Sequence, residues 1–437
     1  MPAPAPNATG DLLLPMRFMV VGILTLALLS LTYVWHLPLL RGSFYDAHLL
    51  TFVHVNTLGL IGAVIFGASY QMLPIVLQTP LAAPRAARLS WWFYIVGLVT
   101  FVAGIENGLP LVLGIGGTST FTAVAIYVGV IAGTLRTAPH RDATWWHVAA
   151  ATTALGTGAS LGLLLALSKN VGFLAGLTLP TLAAHATLML GGWVTPLLTG
   201  VAYRLVSMFT LTEHRVRDDW ATYELWLTAG GAWILAASLL LGLGRWVSLL
   251  GAVTLLAGVV LFVGQLVFLY RVRVRHSPDV HIPFAFVAMA CGLTAAALLA
   301  WGFLTGRAAT DPLWLAGGWL AIAGWAQTAI QGFLYKIGPF LTWMYRYGPL
   351  VGIQPVPMLE QLYSRPLALA GGAAWMAGVV LGALVPFSTA GWLPDAAAFC
   401  LGVGGAAFLV NAVRVARHWL GFAAISSPIA PMAGAHR

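Results

Sequence analysis

The chain has 437 residues, 60% of them hydrophobic and only 8% charged, with a formal net charge of +9. So few charges cannot cover the surface of a water-soluble protein, whereas a bilayer demands almost none, so composition excludes a soluble enzyme and describes an integral membrane protein. The positive excess comes from arginines set between apolar runs rather than in a patch, which makes it a record of topology and not of nucleic-acid binding.

Residues 1–11, MPAPAPNATGD, lack the basic start of a signal peptide and read as a short disordered tail. Twelve apolar segments follow, each long enough to cross the ~30 Å hydrocarbon core as a helix. Their expected limits are 12–35, 46–78, 91–113, 118–136, 147–168, 178–210, 221–243, 246–270, 281–304, 312–345, 366–386 and 393–418. Proline, glycine and charge occupy the breaks, as in TPLAAPRAARLS, RTAPHRD, TEHRVRDD and RVRVRHSPD. Nothing between the spans is long enough for a soluble domain, so residues 1–437 read as one polytopic membrane domain. The 49 glycines suit close approach of helices. Cys291 and Cys400 lie inside apolar runs, without the spacing of a metal site.

Arginine follows each even-numbered span: Arg85 and Arg88, Arg136 and Arg141, Arg215 and Arg217, Arg271 to Arg275, Arg346 and Arg365, Arg414 and Arg417. The other side carries only Arg41, Lys169, Arg245 and Arg307. The positive-inside rule therefore places both termini in the cytoplasm.

The chain repeats itself. GASYQMLP from Gly67, GVAYRLVSMF from Gly200 and GFLYKIGPF from Gly332 share Gly-x-x-Tyr followed by a long polar residue. Their tyrosines, Tyr70, Tyr203 and Tyr335, recur at a nearly constant interval, each near one end of spans two, six and ten. The expected architecture is all-α, with three pseudo-repeats of four helices covering roughly 12–140, 145–275 and 280–420. His54 precedes the first tyrosine by about four and a half helical turns, and His185 precedes the second by about five. The matching stretch of the third repeat, LAGGWLAIAGW, has no imidazole.

With these features the chain resembles subunit I of the heme–copper oxidase superfamily, in its C-family and nitric-oxide-reductase-like branch. The resemblance covers the whole chain and rests on twelve spans, three four-helix arcs and the Gly-x-x-Tyr-x-[ML]-x-P type of helix. It implies a place in the cytoplasmic membrane of a bacterium or archaeon, and respiratory subunits or an electron donor as partners beside the lipid bilayer. By position, His54 matches the ligand of the low-spin heme, and His185 matches a histidine that binds the active-site copper. The family's His-x-His of helix ten and the copper ligands of helix seven have no counterpart, because spans seven and ten contain no histidine. The resemblance thus implies at most one b-type heme, bound through His54 with His185 taking part, and neither a complete heme–copper centre nor a terminal oxidase. Since the family's helices two and six do not flank one heme, the two histidines are not expected to form an axial pair.

Beside that reading stands a plainer one, in which each histidine serves only interhelical hydrogen bonding. A cofactor-free transporter or assembly protein built on the same bundle is the corresponding alternative function. Met189, one turn beyond His185, reads as a soft ligand or as core filler. Glu106, near the outer end of span three, reads as an acid that loads protons or binds a cation, or as one whose closeness to the surface keeps its cost low. His36 and His48 are read as interfacial, and His140, His147, His214, His276, His281 and His418 as solvated or interfacial on the cytoplasmic side. Gln71, Arg204 and Lys336, next to the repeated tyrosines, are expected to snorkel or to bond between helices.

Overall fold

A computed structural model describes residues 13–274 and 279–422. The proposed tail at residues 1–11, Arg275 and His276 lie outside the described residues. Among those described there is no strand. They form twelve long rods: α1 (Leu13–Arg41), α2 (Ala47–Val76), α3 (Pro84–Glu106), α4 (Pro110–Thr137), α5 (Ala143–Val171), α6 (Thr178–Thr210), α7 (Asp218–Leu241), α8 (Arg245–Arg271), α9 (His281–Thr305), α10 (312–346), α11 (Arg365–Phe387) and α12 (Trp392–Trp419). Eleven of these are long and apolar enough to cross a membrane, against the twelve expected. The remaining rod, α10, is continuous, but tryptophans 314, 319 and 325 with Gln327 and Gln331 dilute its apolar character.

Most boundaries fall within a few residues of expectation because capping residues and breakers mark them. Asp46 and Asp142 accept the amides of Leu49 and Trp145 at the starts of α2 and α5. The α3–α4 turn is the main correction. It lies at residues 107–109, not in the glycine cluster at 114–117. Gly108 adopts φ +58 and Pro110 starts the next helix. Pro84 likewise starts α3 well ahead of the expected position at 91. Gly116 belongs to α4, where a Cβ would press on the backbone of Phe101. The glycines that looked like a break bring two antiparallel helices together.

Contacts pass around an outer ring, from α1 through α3, α4, α5, α7, α8, α9, α11 and α12, which packs back on α1. Inside it stand α2, α6 and α10. The apolar windows of α2 and α6 are 67% and 61% buried, whereas those of the nine outer rods are 22% to 50% buried. Each inner rod widens into a π-helix at mid-length: Val55–Gly62, Leu188–Val194 and Leu320–Gln327. The starts of these segments recur at the same interval as the three tyrosines. Within one residue of the same place in each π turn, a carbonyl accepts from a side chain, and Leu58 O and Leu190 O also accept the amides of Ala63 and Thr195. Tyr94 of α3 donates to Leu58 O, Thr195 to Leu190 O, and Thr328 to Ala323 O. The π segments of α2 and α6 both touch that of α10, and Phe66 meets Trp193 edge-on at 6.4 Å.

Candidate functional site

His54 ends the α-helical first part of α2, just before the π segment. Its Nδ1 lies 2.7 Å from Leu50 O, and its ring packs at 5.0 Å on Phe101 of α3. His185 lies two residues earlier in the register of α6, three residues before its π segment, and its Nδ1 lies 2.7 Å from Gly158 O on α5. Its ring rests over Gly162, where a Cβ would stand 2.8 Å from Cε1. Met189 Sδ leans on Gly158 from the next turn. A carbonyl accepts only from a protonated nitrogen, so both imidazoles carry their hydrogen on Nδ1 and present an unprotonated Nε2. Neither Nε2 has a hydrogen-bond partner among the described residues.

His54 thus packs against α3, and His185 packs against α5. Phe101 of α3 and Leu163 of α5 both border Gly117 of α4. Among the described residues there is no group of three or more His, Cys, Asp or Glu able to hold a metal ion.

A second feature of the bundle is a cavity of about 220 Å³ between α6, α8, α9 and α10. Leu190, Leu255, Phe262, Met289 and Trp325 line it, and the polar side chains in its wall come from threonine and tryptophan. Trp325 Nε1 donates to Thr195 Oγ1 at 3.1 Å. His185 is not part of this wall. In α10 the stretch without an imidazole is filled by Trp319, whose Nε1 donates to Val379 O while its ring lies among Phe52 and Tyr33.

Among the remaining polar residues, His147 and His281 depart from expectation. Glu106 is 42% exposed and binds His48 at 2.9 Å, an ion pair at the surface. The buried acid is Glu224, near the start of α7, with no exposure at all; its partner is His147 of α5, also fully buried, at 2.8 Å. His147 is thus neither solvated nor interfacial, and His281 is likewise buried. His140 and His214 are exposed as expected. Lys336 bonds to Asp279, in the connection just before α9, at 2.6 Å, whereas Arg204 is exposed. The signal for Glu224 was available: an acid flanked by apolar turns inside a span is functional by default. It follows Ser90, the partner of Tyr70, by close to one repeat interval.

The architecture is that of a polytopic helical membrane protein, as its apolar rods require. No protein-family model matches the chain, and comparison with curated proteins yields no significant match.

Proposed function

We propose that this is a diverged relative of heme–copper oxidase subunit I that binds a single b-type heme through His54 and His185 and serves respiratory electron transfer or the handling of O2 or NO. The observation that carries the reading is the pair of imidazoles described above, each with Nδ1 on a carbonyl and Nε2 free. A heme iron requires this tautomer, and the second-nitrogen hydrogen bond orients the ring and raises its basicity. The donor chemistry therefore fits the group. A bound heme would supply reversible one-electron chemistry and an iron able to bind a diatomic gas. The chain's own residues have the positioning tasks. Leu50 O and Gly158 O hold the tautomers, Gly162 leaves room for the His185 ring, and Phe101 keeps water from His54.

The family reading is supported by three inner rods that widen at matched positions and by outer rods that close a ring around them. On that reading the chain consists of three four-helix arcs, lies in the cytoplasmic membrane of a bacterium or archaeon with both termini inside, and meets respiratory subunits or an electron donor. The apolar cavity, which has no imidazole in its wall, supports the further reading that a complete heme–copper centre is not built. It also favours the alternative, a cofactor-free transporter or assembly protein.

Reduced-minus-oxidised absorption of the purified chain distinguishes the two. A b-type band that is lost in H54A and lost or shifted in H185A is the expected result. A colourless, heme-free preparation from heme-replete cells overturns the proposal in favour of the alternative.

A further inference from the structure

Between α5, α6 and α7, near the arginine-rich end of the bundle, lies a polar cluster that the imidazole pair of the candidate heme site does not touch. His147 stands about 6 Å and Glu224 about 9 Å along their helices from the first residue of each, at 1.5 Å per residue. Both are fully buried. His147 Nδ1 lies 2.7 Å from Ala143 O, and Nε2 lies 2.8 Å from Glu224 Oε2. The other carboxylate oxygen, Oε1, is 3.1 Å from the Thr228 hydroxyl. The Tyr203 ring packs edge-on against His147 at 5.7 Å. Its hydroxyl is also buried and makes no hydrogen bond of its own. Gln265 of α8 has a second buried oxygen without a hydrogen-bond partner. Buried polar atoms of this kind are attachment points for ordered water.

We propose that His147 and Glu224 form a proton-binding site that exchanges one proton with water at the arginine-rich end of the bundle. Because Nδ1–H is committed to Ala143 O, the exchangeable proton is the one shared by Nε2 and Oε2. With it the pair is neutral as a whole, whether written as imidazolium and carboxylate or as imidazole and carboxylic acid. On release, the N–H or O–H bond breaks and the proton leaves as hydronium. The electron pair stays on the pair, and the carboxylate keeps the Thr228 hydroxyl and gains that of Tyr203. On uptake, a hydronium returns the proton and the same bond re-forms. A salt bridge needed only for packing would be replaced at little cost by apolar residues of equal volume. It would have no use for a buried tyrosine packed on it with its hydroxyl left unpartnered.

The charged and titratable groups around the pair are few. From α6 Tyr203 faces it, while Arg204 is exposed. From α4 the titratable residues are Tyr127, stacked on Phe66, and exposed Arg136. From α8 Phe262 and Gln265 approach, neither of which ionises, and Arg271 is exposed. Asp218, Asp219 and Tyr223 of α7 are exposed, with Asp219 paired to Arg217. Proton exchange in this pocket is therefore attributable to the pair.

The test is infrared difference spectroscopy of the full chain in lipid nanodiscs, between acidic and alkaline buffer, in H2O and D2O. The expected result is a protonated-carboxyl C=O band that responds to pH, shifts in D2O and is absent from E224Q. Glutamine there retains a hydrogen bond to His147. In H147Q the band is expected at every pH and unresponsive, since nothing then compensates the carboxylate. Isotope labelling of glutamate carboxyls assigns the band in the unsubstituted chain even if neither variant folds. The other three glutamates, Glu106, Glu213 and Glu360, are exposed. A band that does not respond to pH, one that persists in E224Q, or an H147Q response like that of the original chain overturns the proposal. None of these readouts depends on heme, so the result stands apart from the fate of the heme assignment.

Discussion

Gly200 shows how much one missing side chain decides. A Cβ there would collide with the Cβ of His147, so the helix-to-helix distance that seats His147 against Glu224 exists only with glycine. Gly67 and Gly332, its counterparts, face Phe18 and Phe284 in the same way. We expect G200A to lose about 1–3 kcal/mol through overpacking, measured as a lower melting temperature in detergent. We also expect it to abolish the carboxyl band attributed to Glu224. The motif Gly-x-x-Tyr was readable in the chain, and so was its spacing. What the glycine is for was not readable, because the neighbour it admits comes from another helix. Glu106 and Glu224 make the same point: both are acids within or beside apolar runs, and only the partner, exposed His48 or buried His147, separates surface from interior.

At the scale of the element, the π segments of α2, α6 and α10 are held by side chains more than by any periodicity. Thr328 donates to Ala323 O and accepts from Trp375 Nε1 at 3.0 Å; Thr195 does the same with Leu190 O and Trp325. Valine at 328 keeps the shape and removes the hydroxyl, leaving a buried carbonyl and an indole N–H unpaired. We expect T328V to cost about 1–3 kcal/mol and to speed amide exchange across Leu320–Gln327 before the rest of α10. An exchange pattern unchanged by T328V would show that tertiary packing alone imposes the π geometry. Nothing in the apolar pattern of these spans announced a π turn, since hydropathy is insensitive to whether a carbonyl reaches four or five residues along.

For the molecule as a whole, the ring closes where α12 meets α1. Gly402 and Gly405 face Ser30 there, and a Cβ on Gly405 would run into its hydroxyl. Ser30 is tied to Leu26 O, so it can yield only by giving up that bond. We expect G405L to lower the melting temperature in detergent well below that of G264L. Gly264 has nothing within reach of an added Cβ. Equal effects of the two substitutions would mean that the seam contributes little. Amino-acid order by itself determined the helical spans, most of their ends, the arginine-rich side and the spacing at which the chain recurs. Each of these depends on residues within one or two turns of one another or on a simple count. Only tertiary structure decided that His54 packs on α3 and His185 on α5, that His147 is buried on Glu224, and that the cavity wall contains no imidazole. Those outcomes depend on which face each rod turns to a neighbour far away along the chain, and hydropathy contains no information about that choice.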